Sequence, residues 1–169
     1  MKIPRIALAA YGFALAIIVV DQLTKAWVLQ GVPVAYEGWV ADVLPPVFRI
    51  SLVHNEGVSF GLFGDGSARW MLSIFSIAVA GVLGWWALKA DRRLLVTSIG
   101  LIMGGAIGNV IDRIRFGFVV DFLDFSGTGF FPWVFNVADS AITVGVILLI
   151  LDSLLSERAA KVGVAAEKS

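Results

Sequence analysis

Long apolar runs alternate along this chain with shorter stretches in which polar residues and glycine gather. Four runs approach or exceed the ~20 residues needed to cross a ~30 Å hydrocarbon core. They cover residues 6–29, 68–88, 94–111 and 133–155 and predict four transmembrane helices. Residues 30–67 make a long connection, in which segments 32–37 and 47–53 carry the β-branched and aromatic residues of short strands, broken by Pro33, Pro45 and Pro46. In the connection 115–132, FGFVVDFLDF is too short to span and predicts a strand ending at Asp121 and Asp124. The stretch HNEGVSFGLFG at residues 54–64 sets three glycines among hydrophobic residues, which suits an interfacial loop or short helix able to close like a lid, with Gly57, Gly61 and Gly64 as hinges.

The expected fold class is therefore an all-α membrane protein, a bundle of four transmembrane helices with a small extracytoplasmic β-sheet and an interfacial loop or helix. Residues 1–156 form a single membrane-embedded domain, and residues 157–169 are expected to be a disordered cytoplasmic tail. Composition strengthens the membrane reading: of 169 residues, 59% are hydrophobic and only 15% charged, and the mean hydropathy is +0.89. Lys2 and Arg5 ahead of an apolar run imitate a cleavable signal peptide, but the run continues to Leu29, about twice a normal signal core, and reads as the first span.

Basic residues set the expected orientation. Lys2 and Arg5, then Lys89, Arg92 and Arg93, then Arg158, Lys161 and Lys168 place both termini and the link between spans two and three on the cytoplasmic side. Trp27, Trp39, Trp70 and Trp133 then fall near the outer interface, and Trp85 and Trp86 near the inner one. The chain has no cysteine, which excludes disulfides and thiol chemistry, and one histidine, His54, which excludes an HExxH zinc protease. Formal net charge is zero, and no basic stripe suggests nucleic acid.

Against that apolar background, Asp21, Lys25, Asp112, Asp121 and Asp139 stand out, because an ionisable side chain in hydrocarbon costs roughly 2.5–3.5 kcal/mol on insertion scales. Asp21 and Lys25 are four apart on one helical face, which favours a structural ion pair. In GGAIGNVIDR, Gly104 and Gly108 form a small-xxx-small pattern for close helix approach, and Asn109, Asp112 and Arg113 follow as either scaffold or site wall. In FNVADSAITVG, Asn136, Asp139, Ser140 and Thr143 fall on one stripe, and Asp139 is read as having no basic residue anywhere in its own helix, the span 133–155. Asp121 sits at the end of an apolar strand with no cation adjacent. If the connection after span three folds back over the bundle, Asp121 and Asp139 face each other. Two carboxyls that close share a proton, one serving as base toward water and the other as acid toward a carbonyl, as in aspartic proteases.

The series DQLTK (21–25), NEGVSF (55–60), GGAIGNVIDR (104–113), VVDF (119–122) and FNVADSAI (135–142) resembles the bacterial lipoprotein signal peptidases, the signal peptidase II family, with all five motifs in family order. The resemblance implies an intramembrane aspartyl endopeptidase of the bacterial inner membrane. Such an enzyme removes signal peptides from prolipoproteins just before a diacylglyceryl-modified cysteine and works near the outer face without metal or organic cofactor. It also implies membrane lipid as a partner, the peptide antibiotic globomycin as a ligand, and a monomer. By motif, Asp121 and Asp139 match the catalytic pair. Asn55, Gly57, Gly108, Asn109, Asp112, Arg113, Asn136 and Ala138 match substrate-binding or site-supporting positions, and Asp21 and Lys25 a structural pair. His54 and Glu56 depart from the family pattern in the outer loop, away from the pair.

A small proton-coupled transporter relaying through Asp21, Asp112 and Asp139 is the rival. The acids gather toward one membrane face, however, and the cytoplasmic halves of the spans are read as lacking an ionisable step. A structural assembly factor using the glycine face leaves Asp121 and Asp139 unexplained.

Overall fold

The computed structural model describes residues 4–31, 38, 40–57 and 67–167. The four expected helices are α1 (Arg5–Gly31), α2 (Ser67–Ala87), α3 (Arg93–Arg115) and α4 (Val137–Glu167), each with a segment long and apolar enough to cross a membrane. Helix α3 is the centre of the bundle. Within the bundle, 72% of its apolar window is buried, against 22% to 28% for the other three, whose outward faces keep large side chains such as Leu15, Phe75 and Ile147 exposed for lipid. Trp27, Trp70, Trp85 and Trp133 are exposed near helix ends, as interfacial anchors require.

Small residues set how closely α3 meets its neighbours. A Cβ on Gly100 would lie 2.6 Å from the Ala10 carbonyl oxygen, one on Gly104 2.7 Å from that of Ala14, and one on Gly108 2.7 Å from Asp21 Oδ2. The expected Gly104 and Gly108 stripe thus faces α1, and Gly100 extends it by a turn against Ala10 and Ala14, themselves buried. On the opposite side, a Cβ on Gly105 would overlap the Ala138 carbonyl oxygen at the start of α4. Gly105→Ala is expected to part α3 from α4 and to lower stability by about 1–3 kcal/mol, the range for overpacking. Thermal unfolding in detergent, compared with Gly81→Ala, where an added Cβ meets nothing within 4 Å, checks this.

Four strands, β1 (Val40–Leu44), β2 (Phe48–Asn55), β3 (Val119–Asp124) and β4 (Val134–Phe135), form one antiparallel sheet in chain order. The sheet closes over the bundle end through a second core in which Leu52, Val120 and Phe122 pack with Val28 of α1, joined by Leu29 and Val137. The expected strands at 47–53 and around Asp121 correspond to β2 and β3, although Asp121 lies within its strand rather than at its end. The expected strand 32–37 lies outside the described residues, as do Trp39 and residues 58–64 of the expected lid. Strands β1 and β4 were not expected. Residues 133–155 read as one apolar run, but Val134 and Phe135 pair with β3, and the helix begins only after Asn136.

Two further differences concern the bundle end away from the sheet. Where a disordered tail was expected from residue 157, α4 continues to Glu167, helped by the good helix former Ala and by a Glu157–Lys161 ion pair at 2.6 Å. The C-terminal half of span four, read as lacking an ionisable step, also holds an acid after all. Asp152 is buried there and paired at 2.8 Å with Arg92 from the head of α3. A buried charge with its own partner is neutralised and adds no step to a relay.

Candidate active site

The chain returns to the bundle at Gly117. Its φ of +89° lies in the left-handed region open to glycine, its N–H bonds the Arg113 carbonyl, and α3 stops there. Strand β3 can then run back beside the end of α3, where the Val120 N–H donates to Asp112 Oδ2 at 3.1 Å. Alternation along β3 sends Val120 and Phe122 into the apolar core and Asp121 to the other side. There Asn55, two residues beyond the Val53 that pairs with Asp121, donates from Nδ2 to Asp121 Oδ2 at 2.8 Å. The Gly57 N–H in turn bonds Asn55 Oδ1 at 2.9 Å and fixes which end of that amide faces the acid.

Asp139 is held by a different device. Asn136 caps α4: its Oδ1 accepts from the Asp139 N–H at 2.9 Å, while its own N–H donates to Asp139 Oδ2 at 3.3 Å, a reciprocal capping box at the positive end of the helix dipole. Asn109 Nδ2 from α3 donates to Asp139 Oδ1 at 2.8 Å. Asn136 also reaches the other acid, its Nδ2 donating to Asp121 Oδ1 at 2.7 Å. One fully buried asparagine thus touches both carboxyls, from β3 and α4, that were expected to meet.

Asp121 is 1% exposed, and burial pushes its pKa up from 3.8 to about 7. The Asn55 and Asn136 hydrogen bonds oppose that shift, and the charge of Asp139 reinforces it. Asp139 is less enclosed. With Phe131, Phe135, Ser140, Thr143 and Val144 it lines a largely apolar cleft of about 260 Å³ that opens along the exposed side of α4. The expected stripe of Asn136, Asp139, Ser140 and Thr143 therefore divides: the last three line the cleft, and Asn136 lies behind it.

A buried ionic cluster underlies the site. Lys25 Nζ lies 2.9 Å from Asp21 Oδ2 and 2.8 Å from Asp112 Oδ2, with all three side chains almost wholly enclosed. The expected Asp21–Lys25 pair is thus a triad, and Asp112, open between scaffold and site wall, belongs to it. Asp21 Oδ1 accepts from the Ala138 N–H at 3.0 Å, so the triad ties α1 and α3 to the first turn of α4. Gln22, which the sequence did not single out although it adjoins Asp21 in an apolar span, donates to Asp112 Oδ1 at 2.8 Å. Gly108 leaves room for Asp21. Arg113 sits within the field of Asp139, Asp112 and Asp121, and its buried Nε has no hydrogen-bond partner among the described residues.

Other polar residues belong to the sheet. Asp124 accepts from Ser51 Oγ at 2.5 Å and the Ser126 N–H at 2.8 Å and pairs with Arg49 at 3.1 Å. Burial works to raise its pKa, but these bonds and the Arg49 charge outweigh it and hold the carboxyl below its usual range. His54 stacks on Phe118 with ring centroids 3.9 Å apart, and Glu56 is exposed.

A family model described as signal peptidase (SPase) II matches residues 13–155. A lipoprotein signal peptidase of Caulobacter vibrioides is 50% identical over 159 residues, covering 93% of each chain. One of Shewanella halifaxensis is 40% identical over 151 residues, covering 86% of each. Among solved structures, a bacterial membrane enzyme superposes with a TM-score of 0.74 at 30% identity, covering 90% of this chain and 91% of the other.

Proposed function

This chain belongs to the signal peptidase II family, and from that premise we propose that it is an aspartyl endopeptidase that cleaves prolipoprotein signal peptides just before the diacylglyceryl-modified cysteine. The observation that carries the reading is the bridge through Asn136 between Asp121 and Asp139, two acids from distant segments. In this reading Asp121, whose pKa burial raises to about 7, carries the proton in the active form, and Asp139, beside the cleft, is the base. Asp139 takes a proton from water as the water oxygen bonds to the scissile carbonyl carbon, and Asp121 gives its proton to the carbonyl oxygen. When the resulting diol collapses, the C–N bond breaks, Asp139 returns its proton to the leaving nitrogen, and a diol proton restores Asp121.

The cleft suits the substrate. A diacylglyceryl group keeps the bond near the bilayer surface, and an apolar opening along α4 admits a lipid-bearing peptide from the side. Asn55, Gly57, Gly108, Asn109, Asp112, Arg113, Asn136 and Ala138 orient the pair or contact substrate, and the unpartnered Arg113 Nε is a donor for a peptide carbonyl. Globomycin, as a peptide, would compete at the same cleft. We read residues 1–156 as one monomeric catalytic unit in the inner membrane with both termini cytoplasmic, as the basic residues direct. Purified protein incubated with a diacylglyceryl-modified prolipoprotein should release an intact signal peptide ending one residue before the cysteine, read by mass spectrometry. Cleavage elsewhere, or none, would end the proposal.

The pKa of Asp121 gives a pH expectation. Its folded value lies above the 3.8 of an ordinary aspartate, so the neutral form is the one the fold prefers. The stability it contributes is complete below 3.8 and is lost as pH rises through about 7. Turnover should fall over the same upper limb, as Asp121 loses the proton it donates. Thermal midpoints measured across this range should decline with pH in the native protein and be flatter in Asp121→Asn.

A further inference from the structure

All three ammonium protons of Lys25 are committed. Two go to the carboxylates of Asp21 and Asp112, and the third goes to Asn109 Oδ1 at 3.1 Å. An ammonium has donors and no acceptor, so the oxygen end of the Asn109 amide must face it. The nitrogen end then faces Asp139, donating at 2.8 Å, and the oxygen is left to accept from Asn136 Nδ2 at 3.2 Å. A reversed Asn109 would set N–H groups against the ammonium and an oxygen against a carboxylate.

We propose that Lys25 is a positioning residue for the reaction: through Asn109 it fixes the direction of the amide hydrogen bonds at the aspartate pair, so that Asp139 Oδ1 always faces an N–H donor. The inference rests on the aspartyl reading above and extends it to a residue on another helix that touches neither acid of the pair. Asn136 Nδ2 supports the same orientation from the other side, at a longer 3.2 Å, whereas the Lys25 ammonium supplies the charged donor, which presents N–H groups in every rotamer. The charges around the pair come from every packed element: Arg113 and Asp112 on α3, Asp121 on β3, and Lys25 with Asp21 on α1.

The test separates donation from charge and from packing. Asp21→Asn/Lys25→Met and Asp21→Asn/Lys25→Gln both keep the cluster's net charge, since one cation and one anion leave together, and both fill similar volume. Only the Gln variant can still donate to Asn109. With thermal midpoints matched, the Met variant should show a kcat about tenfold or more below that of the Gln variant at similar KM, the size of loss that misoriented catalytic groups produce. Equal kcat values in the two variants would overturn the proposal and leave Lys25 as scaffold. Should the Met variant not fold, the Gln variant is compared with the native enzyme: kcat within a few-fold supports donation, and a large loss at unchanged midpoint overturns it. Asp121→Asn in the same assay keeps the outcomes apart, because cleavage by that variant would refute the aspartyl reading itself.

Discussion

Asp121→Asn and Asp139→Asn should each abolish cleavage of a diacylglyceryl-modified prolipoprotein, with losses of about 10⁴-fold, the upper end for removing a general acid or base. Asparagine keeps the shape and one of the two acceptor oxygens, while its nitrogen faces the other donor and it cannot exchange the proton. Because Asn136 joins the two acids and each needs the other to complete the proton transfers, the double variant should be scarcely worse than either single one. The folds should survive. Asp121→Asn removes a buried ionisable group, and Asn at residue 139 can still accept the Asn136 N–H in the capping box. Near-native turnover by either variant would remove that residue from the pair.

Lys25→Ala should be the most damaging change to stability. It strands two buried carboxylates, Asp21 and Asp112, and breaking a buried ion pair costs about 3–5 kcal/mol. Adding Asp21→Asn should recover only part of that loss, since Asp112 remains charged with Gln22 and the Val120 N–H as donors. Adding Asp112→Asn as well should recover more. Folded yield and thermal midpoint in detergent would show the series. Full recovery on neutralising Asp21 alone would mean that Asp112 carries little of the load.

Much of this architecture was written in one-dimensional patterns. Four apolar runs near the length of a bilayer crossing must become helices, because no other segment satisfies its own backbone in hydrocarbon. Gly104 and Gly108, one turn apart, announce a close helix contact whatever the partner. Asp21 and Lys25 are neighbours on a helix surface by spacing alone, and the motif resemblance named the acids at 121 and 139 and the asparagines around them. Such features depend on local geometry or on residue identity.

What remained hidden depends on which distant segments meet. The third member of the ion cluster, Asp112, is 87 residues from Lys25, and its pairing exists only because Gly100, Gly104 and Gly108 let α1 and α3 approach. Apolar residues 133–155 read as one helix because hydropathy does not record hydrogen bonding. It took β3 to claim Val134 and Phe135 and leave Asn136 to cap α4 and reach both acids. Asp152 passed unnoticed because its counter-ion, Arg92, comes from another helix. The chain thus determined by itself its helices, its close-packing faces and its reactive residues. The tertiary structure alone decided which charges neutralise one another and which are left to react, because a charge inside a membrane protein is defined by its partners, and those come from afar.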